Sequence, residues 1–226
     1  MDDALLVLLL TAAACAPLGV FLILRRLSMM ADAISHTVLL GIVLAFFVTH
    51  DLGSPWLLFG AALMGVVTVS LVELLGKTRL VKYDDAIGVI FPLLFALAVI
   101  LISKYAGNAH LDTDMVLMGE VIYAGLNTVG IGGMEIPAAA LKMGGLALLI
   151  AVFITVFYKE LKVSAFDGEY ARLIGVPTGI LFYAFMSLTS LTTVAAFDAV
   201  GAILVISFFI APGAAALLFT KHLSHT

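Results

Sequence analysis

The feature that most constrains this chain is a series of apolar runs, near 4–24, 33–49, 55–76, 86–103, 138–158, 177–193 and 198–219. As a helix, each is long enough to cross the roughly 30 Å hydrocarbon core of a bilayer. A soluble fold would have to cover these runs with polar surface, and little is available. Only 12% of the 226 residues are charged and 63% are hydrophobic, whereas soluble domains carry roughly a quarter charged residues. Mean hydropathy is +1.22. The runs therefore predict an all-α, polytopic membrane helix bundle of about seven spans. The first run follows Asp2 and Asp3 with no basic stretch before it, so it reads as a span and not as a cleaved signal peptide. The segment 112–130, "DTDMVLMGEVIYAGLNTVG", is interrupted by Glu120 and Asn127 and reads as one non-spanning helix, re-entrant or interfacial.

Lys and Arg in short loops resist translocation, so their distribution sets the orientation. With 112–130 non-spanning, Arg25, Arg26, Lys77, Arg79, Lys82, Lys159, Lys162, Arg172 and Lys221 share one side, and only Lys104 and Lys142 fall elsewhere. That split predicts an outside N-terminus and an inside C-terminus. A net charge of -4 offers no basic field for nucleic acid. The single cysteine, Cys15, lies in an apolar run and reads as a packing residue. Loops are short throughout, so residues 1–226 read as a single transmembrane domain.

Three stretches carry polar chemistry. In "RRLSMMADAISHTVLLG", Asp32 and His36 are four residues apart and share a helix face, with Ser35 beside them. A carboxylate and an imidazole suit Mn²⁺, Fe²⁺ or Zn²⁺; equally, Asp32 could be the N-cap of the second span, with His36 bonded to a backbone carbonyl. With that span starting near 33, the pair sits close to the cytoplasmic face. In "HLDTDMVLMGE", His110, Asp112, Asp114 and Glu120 concentrate metal-friendly side chains. Asp112 or Asp114 also fits as a helix cap, whereas Glu120 lies within apolar sequence, where an unpaired carboxylate is costly. In the loop "YKELKVSAFDGEYARLIGVPTG", Ser164 as cap, Gly175 as stop and Pro177 opening the next span delimit a short helix. Phe166, Tyr170 and Leu173 recur at helical spacing, with Asp167, Glu169 and Arg172 on other faces. Such a helix could lie on lipid, but two acids facing an anionic inner surface favour a protein groove instead.

Together these stretches, with "FDAVGAILVISFFIAPGAAALL", resemble in order the integral-membrane permeases of ABC importers for manganese, zinc and iron. The resemblance implies multi-pass insertion in the bacterial cytoplasmic membrane and a second permease subunit, identical or not. It further implies cytoplasmic ATP-binding subunits and an extracytoplasmic metal-binding protein that delivers the ion. It also implies that Asp32 and His36 contact the ion, and that Phe166, Asp167, Glu169 and Tyr170 form a coupling helix docking on the ATPase. "HLDTD" is more similar to the manganese and iron branch than to the zinc branch.

The cargo is then a divalent metal ion, with no cofactor held in this chain and ATP bound by the partner. No G-x-x-x-x-G-K-[ST] phosphate loop occurs here, so the expectation is a permease and not an enzyme. Asp198, at the outer start of the last run, reads as a plain helix N-terminal acid. Family members usually continue for about two more membrane segments after the Pro212 region, where this chain stops at "TKHLSHT". A rival reading from another class is a proton-coupled secondary transporter relaying protons through Asp32, His36 and Glu120.

Overall fold

A computed structural model describes residues 2–50, 54–78, 80–105, 128–131 and 134–220. Four long helices come first: α1 (Asp2–Leu24), α2 (Ser28–Thr49), α3 (Pro55–Lys77) and α4 (Tyr83–Tyr105). A two-stranded antiparallel hairpin follows, β1 (Thr128–Ile131) and β2 (Met134–Pro137), pairing Thr128 with Pro137 and Ile131 with Met134. Then come α5 (Ala138–Val156), two short helices α6 (Tyr158–Phe166) and α7 (Gly168–Leu173), and finally α8 (Thr178–Val200) and α9 (Ala202–Phe219). Among the described residues, α1 to α5 and α8 contain the six helices long and apolar enough to cross a membrane; the seventh apolar run forms the shorter α9. The predicted helix bundle is thus the architecture.

Local chemistry sets several boundaries. Pro55 occupies the first turn of α3, and the Ser54 hydroxyl accepts from the Trp56 amide. Asp84 and Asp85 sit in the first turn of α4, where the helix dipole favours them. Gly175 takes φ 87° just past α7, as expected of its stop. Elsewhere the expectations need correction. Of the non-spanning helix predicted over 112–130, residues 112–127 lie outside the described residues, and 128–130 belong to β1. The β-branched Thr128, Val129 and Ile131 suit a strand better than a helix. Asp198 is in the last turn of α8, not at the start of the last span, because the helix runs on to Val200 and breaks only at Gly201, with φ 80°.

α2 packs against α3, α4 and α8, while α1 packs against α5 and α9. Without a hydrophobic drive between helices in lipid, close backbone approach has to supply the attraction. It does so at Gly19, where an added Cβ would stand 1.7 Å from the Phe209 carbonyl oxygen, and at Gly65, where it would stand 1.9 Å from the Ser190 hydroxyl. The main core joins Leu18, Leu22, Met30, Ile34, Phe185 and Phe209, all fully or almost fully buried; Cys15 is buried with them, as its apolar setting predicts. Arg25, Arg26, Lys159, Lys162 and Arg172 gather at one end of the bundle with the α1–α2 turn and α6–α7, and Lys77 joins them at the end of α3.

Candidate ion site

The site begins with the turn between α1 and α2. Arg26 takes a left-handed conformation, φ 59°, and the Leu27 amide reaches back 2.7 Å to the Leu22 carbonyl. This tight reversal starts α2 at Ser28, a full turn before Asp32, with Leu27 at the N-cap and no side-chain cap. Asp32 is therefore not the cap. At 1.5 Å rise per residue it lies about 6 Å inside the helix and His36 about 12 Å, deeper than a start near 33 implies.

His36 Nε2 is 3.3 Å from Asp32 Oδ1. The imidazole is held from the other side by α4, stacked on Phe91 and edge-on to Phe95, with centroids 5.8 Å apart in each pair. Ser35 turns away and donates to the Asp32 carbonyl at 2.7 Å. Behind the site, buried Thr68 of α3 donates to the Thr37 hydroxyl at 2.8 Å, tying α3 to the residue next to His36. The pair is partly open: the side chains are 27% exposed for Asp32 and 31% for His36. No group of three or more His, Cys, Asp or Glu side chains that could hold an ion occurs among the described residues. Asp32 and His36 thus offer one carboxylate and one imidazole at a partly open position of a single chain. By contrast, the groove of about 730 Å³ between the C-terminal half of α2 and the N-terminal half of α3 is lined by Leu44, Val48, Trp56, Phe59 and Leu63 and offers an ion no charged group.

His110, Asp112, Asp114 and Glu120 lie outside the described residues. The loop after α5 forms two helices, not one. Ser164 is inside α6 and caps nothing; Asp167 is the cap, its Oδ1 accepting from the amides of Glu169 (3.1 Å) and Tyr170 (2.9 Å) to start α7. Phe166, Tyr170 and Leu173 are all exposed, an apolar surface presented at the basic end.

Arg25, read in the sequence only as an orientation signal, is a structural link at this end. Its Nη2 donates to Ser164 Oγ at 2.5 Å, and its guanidinium lies 5.9 and 5.8 Å from the ring centroids of Phe182 and Phe185. Burial lowers the pKa of this guanidinium from its usual value, and its Nε has no hydrogen-bond partner among the described residues. It borders a cavity of about 820 Å³ that Glu73, Asp84 and Arg172 also line. The turn that launches α2 is thereby tied to α6. The signal available in the sequence was the Arg-Arg pair directly abutting two apolar runs.

The family described as ABC 3 transport family matches residues 1–226. The zinc transport system membrane protein TroD of Treponema pallidum is 46% identical over 210 residues, covering 93% of this chain and 57% of that protein. The manganese transport system membrane protein MntD of Bacillus subtilis is 47% identical over 215 residues, covering 95% of this chain and 72% of that protein. Among solved structures, PsaBC from Streptococcus pneumoniae in complex with Fab superposes with a TM-score of 0.76 at 29% identity, over 99% of this chain and 74% of the matched chain. The chain thus spans only part of the length of each of these relatives.

Proposed function

Because the chain belongs to the ABC 3 transport family, we propose that it is a permease subunit of an ATP-driven importer of divalent transition-metal ions, manganese, iron or zinc. The ion passes by alternating access through the interface between this chain and a second permease subunit, identical or not, in the bacterial cytoplasmic membrane. The observation that carries this reading is the partly open Asp32–His36 pair, turned outward from one chain with no third ligand beside it among the described residues. A carboxylate turned toward acyl chains costs about 2.5–3.5 kcal/mol at a helix centre, so this face is suited to meet protein and water instead. A second permease bringing its own ligands would complete the shell.

An ion bound by both Asp32 and His36 takes the place of the contact they make with each other, and its departure restores that contact. Two ligands per subunit hold the ion weakly, which permits release. Outside, a metal-binding protein delivers the ion, and His110, Asp112, Asp114 and Glu120 are the candidates for first contact. Inside, Phe166, Glu169 and Tyr170 dock on the ATP-binding subunit, with Asp167 shaping the helix they stand on and Gly175 ending it. The 226 residues belong to one transmembrane permease domain.

The test is metal uptake in cells expressing the transporter with Asp32→Ala or His36→Ala in this subunit, with ATPase assembly measured in parallel. Collapse of manganese, iron or zinc accumulation with assembly intact is the expected result. Normal uptake in both variants overturns the assignment.

A further inference from the structure

α2 and α4 run in the same direction at a constant offset. His36 meets Phe91 and Phe95, and further along Phe47 meets Tyr105, with ring centroids 6.2 Å apart. One turn before His36 is Asp32; one turn before Phe91 and Pro92 is Gly88. The offset therefore sets Gly88 level with Asp32, and Gly88, Phe91 and Phe95 recur at the spacing of one helix face.

Pro92 lies inside α4. Proline has no N–H, so the carbonyl that a continuous helix would bond to residue 92, that of Gly88, receives no hydrogen bond from there. Helix carbonyls point along the axis toward the C-terminal end, so this one points from the level of Asp32 toward that of His36. The space beside residue 88 is also open: apart from its chain neighbours and the backbone of its own helix, nothing lies within 4 Å of where a Cβ there would stand. The other helix-interior prolines with a described setting, Pro17 and Pro212, border a cavity lined mainly by apolar side chains, with no carboxylate or imidazole. Among these prolines, Pro92 is the one on the helix that packs its Phe91 and Phe95 rings against His36.

We propose that the Gly88 carbonyl is a further oxygen ligand of the ion path beside Asp32 and His36, and that Pro92 keeps it free. This rests on reading Asp32 and His36 as contacts of the ion. A backbone carbonyl is a hard, neutral donor: it supplies an oxygen without adding negative charge that would retain the ion. Such a donor favours Mn²⁺, which suits oxygen and higher coordination, over Zn²⁺, which prefers four nitrogen or sulfur ligands. Freed helix carbonyls serve cations in the same manner in transporters with interrupted helices.

The experiment is manganese and zinc uptake, each in competition with the other, by the assembled transporter carrying Pro92→Ala, Gly88→Val or Asp32→Ala in this subunit. Pro92→Ala gives residue 92 an N–H that recaptures the carbonyl; Gly88→Val fills the open space beside it. Both are expected to lower the manganese-to-zinc ratio severalfold, while Asp32→Ala loses both metals. A role of Pro92 in bending α4 alone would change uptake of the two metals by one common factor. An unaltered ratio in the α4 variants, with uptake lost in Asp32→Ala, overturns the Gly88 assignment alone. Full uptake in Asp32→Ala overturns the ion-path reading and Gly88 with it. If Pro92→Ala does not assemble, the ratio in Gly88→Val decides.

Discussion

On α8, Thr189, Ser190, Thr192 and Thr193 are buried completely, and every hydroxyl is spent. The three threonines donate to carbonyls one turn back at 2.9, 2.8 and 2.8 Å, and Ser190 donates across to the Ala62 carbonyl of α3 at 2.9 Å. On α2, Asp32 and His36 are partly open and, among the described residues, are held by each other and by two phenylalanine rings. A hydroxyl has one proton to give, and a helix offers an acceptor four residues back, so threonine can be polar in a membrane at little cost. A carboxylate has about four lone-pair positions and no donor of its own. The difference separates scaffold from proposed site: polarity closed within the bundle holds it together, whereas polarity left partly open is what a ligand from outside the chain would need.

The contrast breaks most visibly if the α8 stripe is forced open. Gly65→Val puts a side chain where Ser190 Oγ now stands, 1.9 Å from the added Cβ. Overpacking of this kind costs about 1–3 kcal/mol, and here it also severs the Ser190 bond between α8 and α3. The expected outcome is a lowered unfolding temperature in detergent and little assembled transporter. Normal assembly would mean that the α3–α8 junction is not structural.

Arg25 is the intermediate case, partly buried and partly satisfied, and a substitution there sharpens the comparison. Arg25→Lys keeps the charge but loses the planar fork that reaches Ser164 while lying over Phe182 and Phe185. If the arginine joins the α2 turn to α6, ions imported per ATP hydrolysed should fall severalfold while competition between metals stays unchanged. A change in metal competition instead would place Arg25 with the ion path.

Much of this arrangement was legible beforehand, because apolar length and the i, i+4 spacing of Asp32 and His36 depend on helix geometry alone. The α2 start was not. Its turn requires Arg26 at positive φ, a conformation uncommon outside glycine, and nothing in "RRLSMM" announces it. Ser164 and Asp167 both have side chains that can cap, and only the break between α6 and α7 decides for Asp167. Asp198 misled because an apolar run cannot show which side of Gly201 a helix ends on. The threonine stripe left no sequence signal of its burial, since threonine is as compatible with a wet surface as with a closed interface.

The smallest effect lies where scaffold and site touch. Thr68 donates to the Thr37 hydroxyl and also lies 2.8 Å from the Met64 carbonyl; both threonines are fully buried, and Thr37 directly follows His36. Thr68→Val keeps the shape and removes the hydroxyl, leaving Thr37 bonded to the Ile34 carbonyl at 3.2 Å. Interhelical hydrogen bonds in membranes average about 0.6 kcal/mol, so the unfolding temperature should drop slightly and manganese uptake should hold. Thr37 neighbours His36 along the backbone, but its side chain points into the bundle while His36 points out, so losing its partner leaves the imidazole where Phe91 and Phe95 hold it. If uptake falls while stability barely changes, α3 positions His36 through Thr37, and the boundary between closed and open polarity runs through α2 itself.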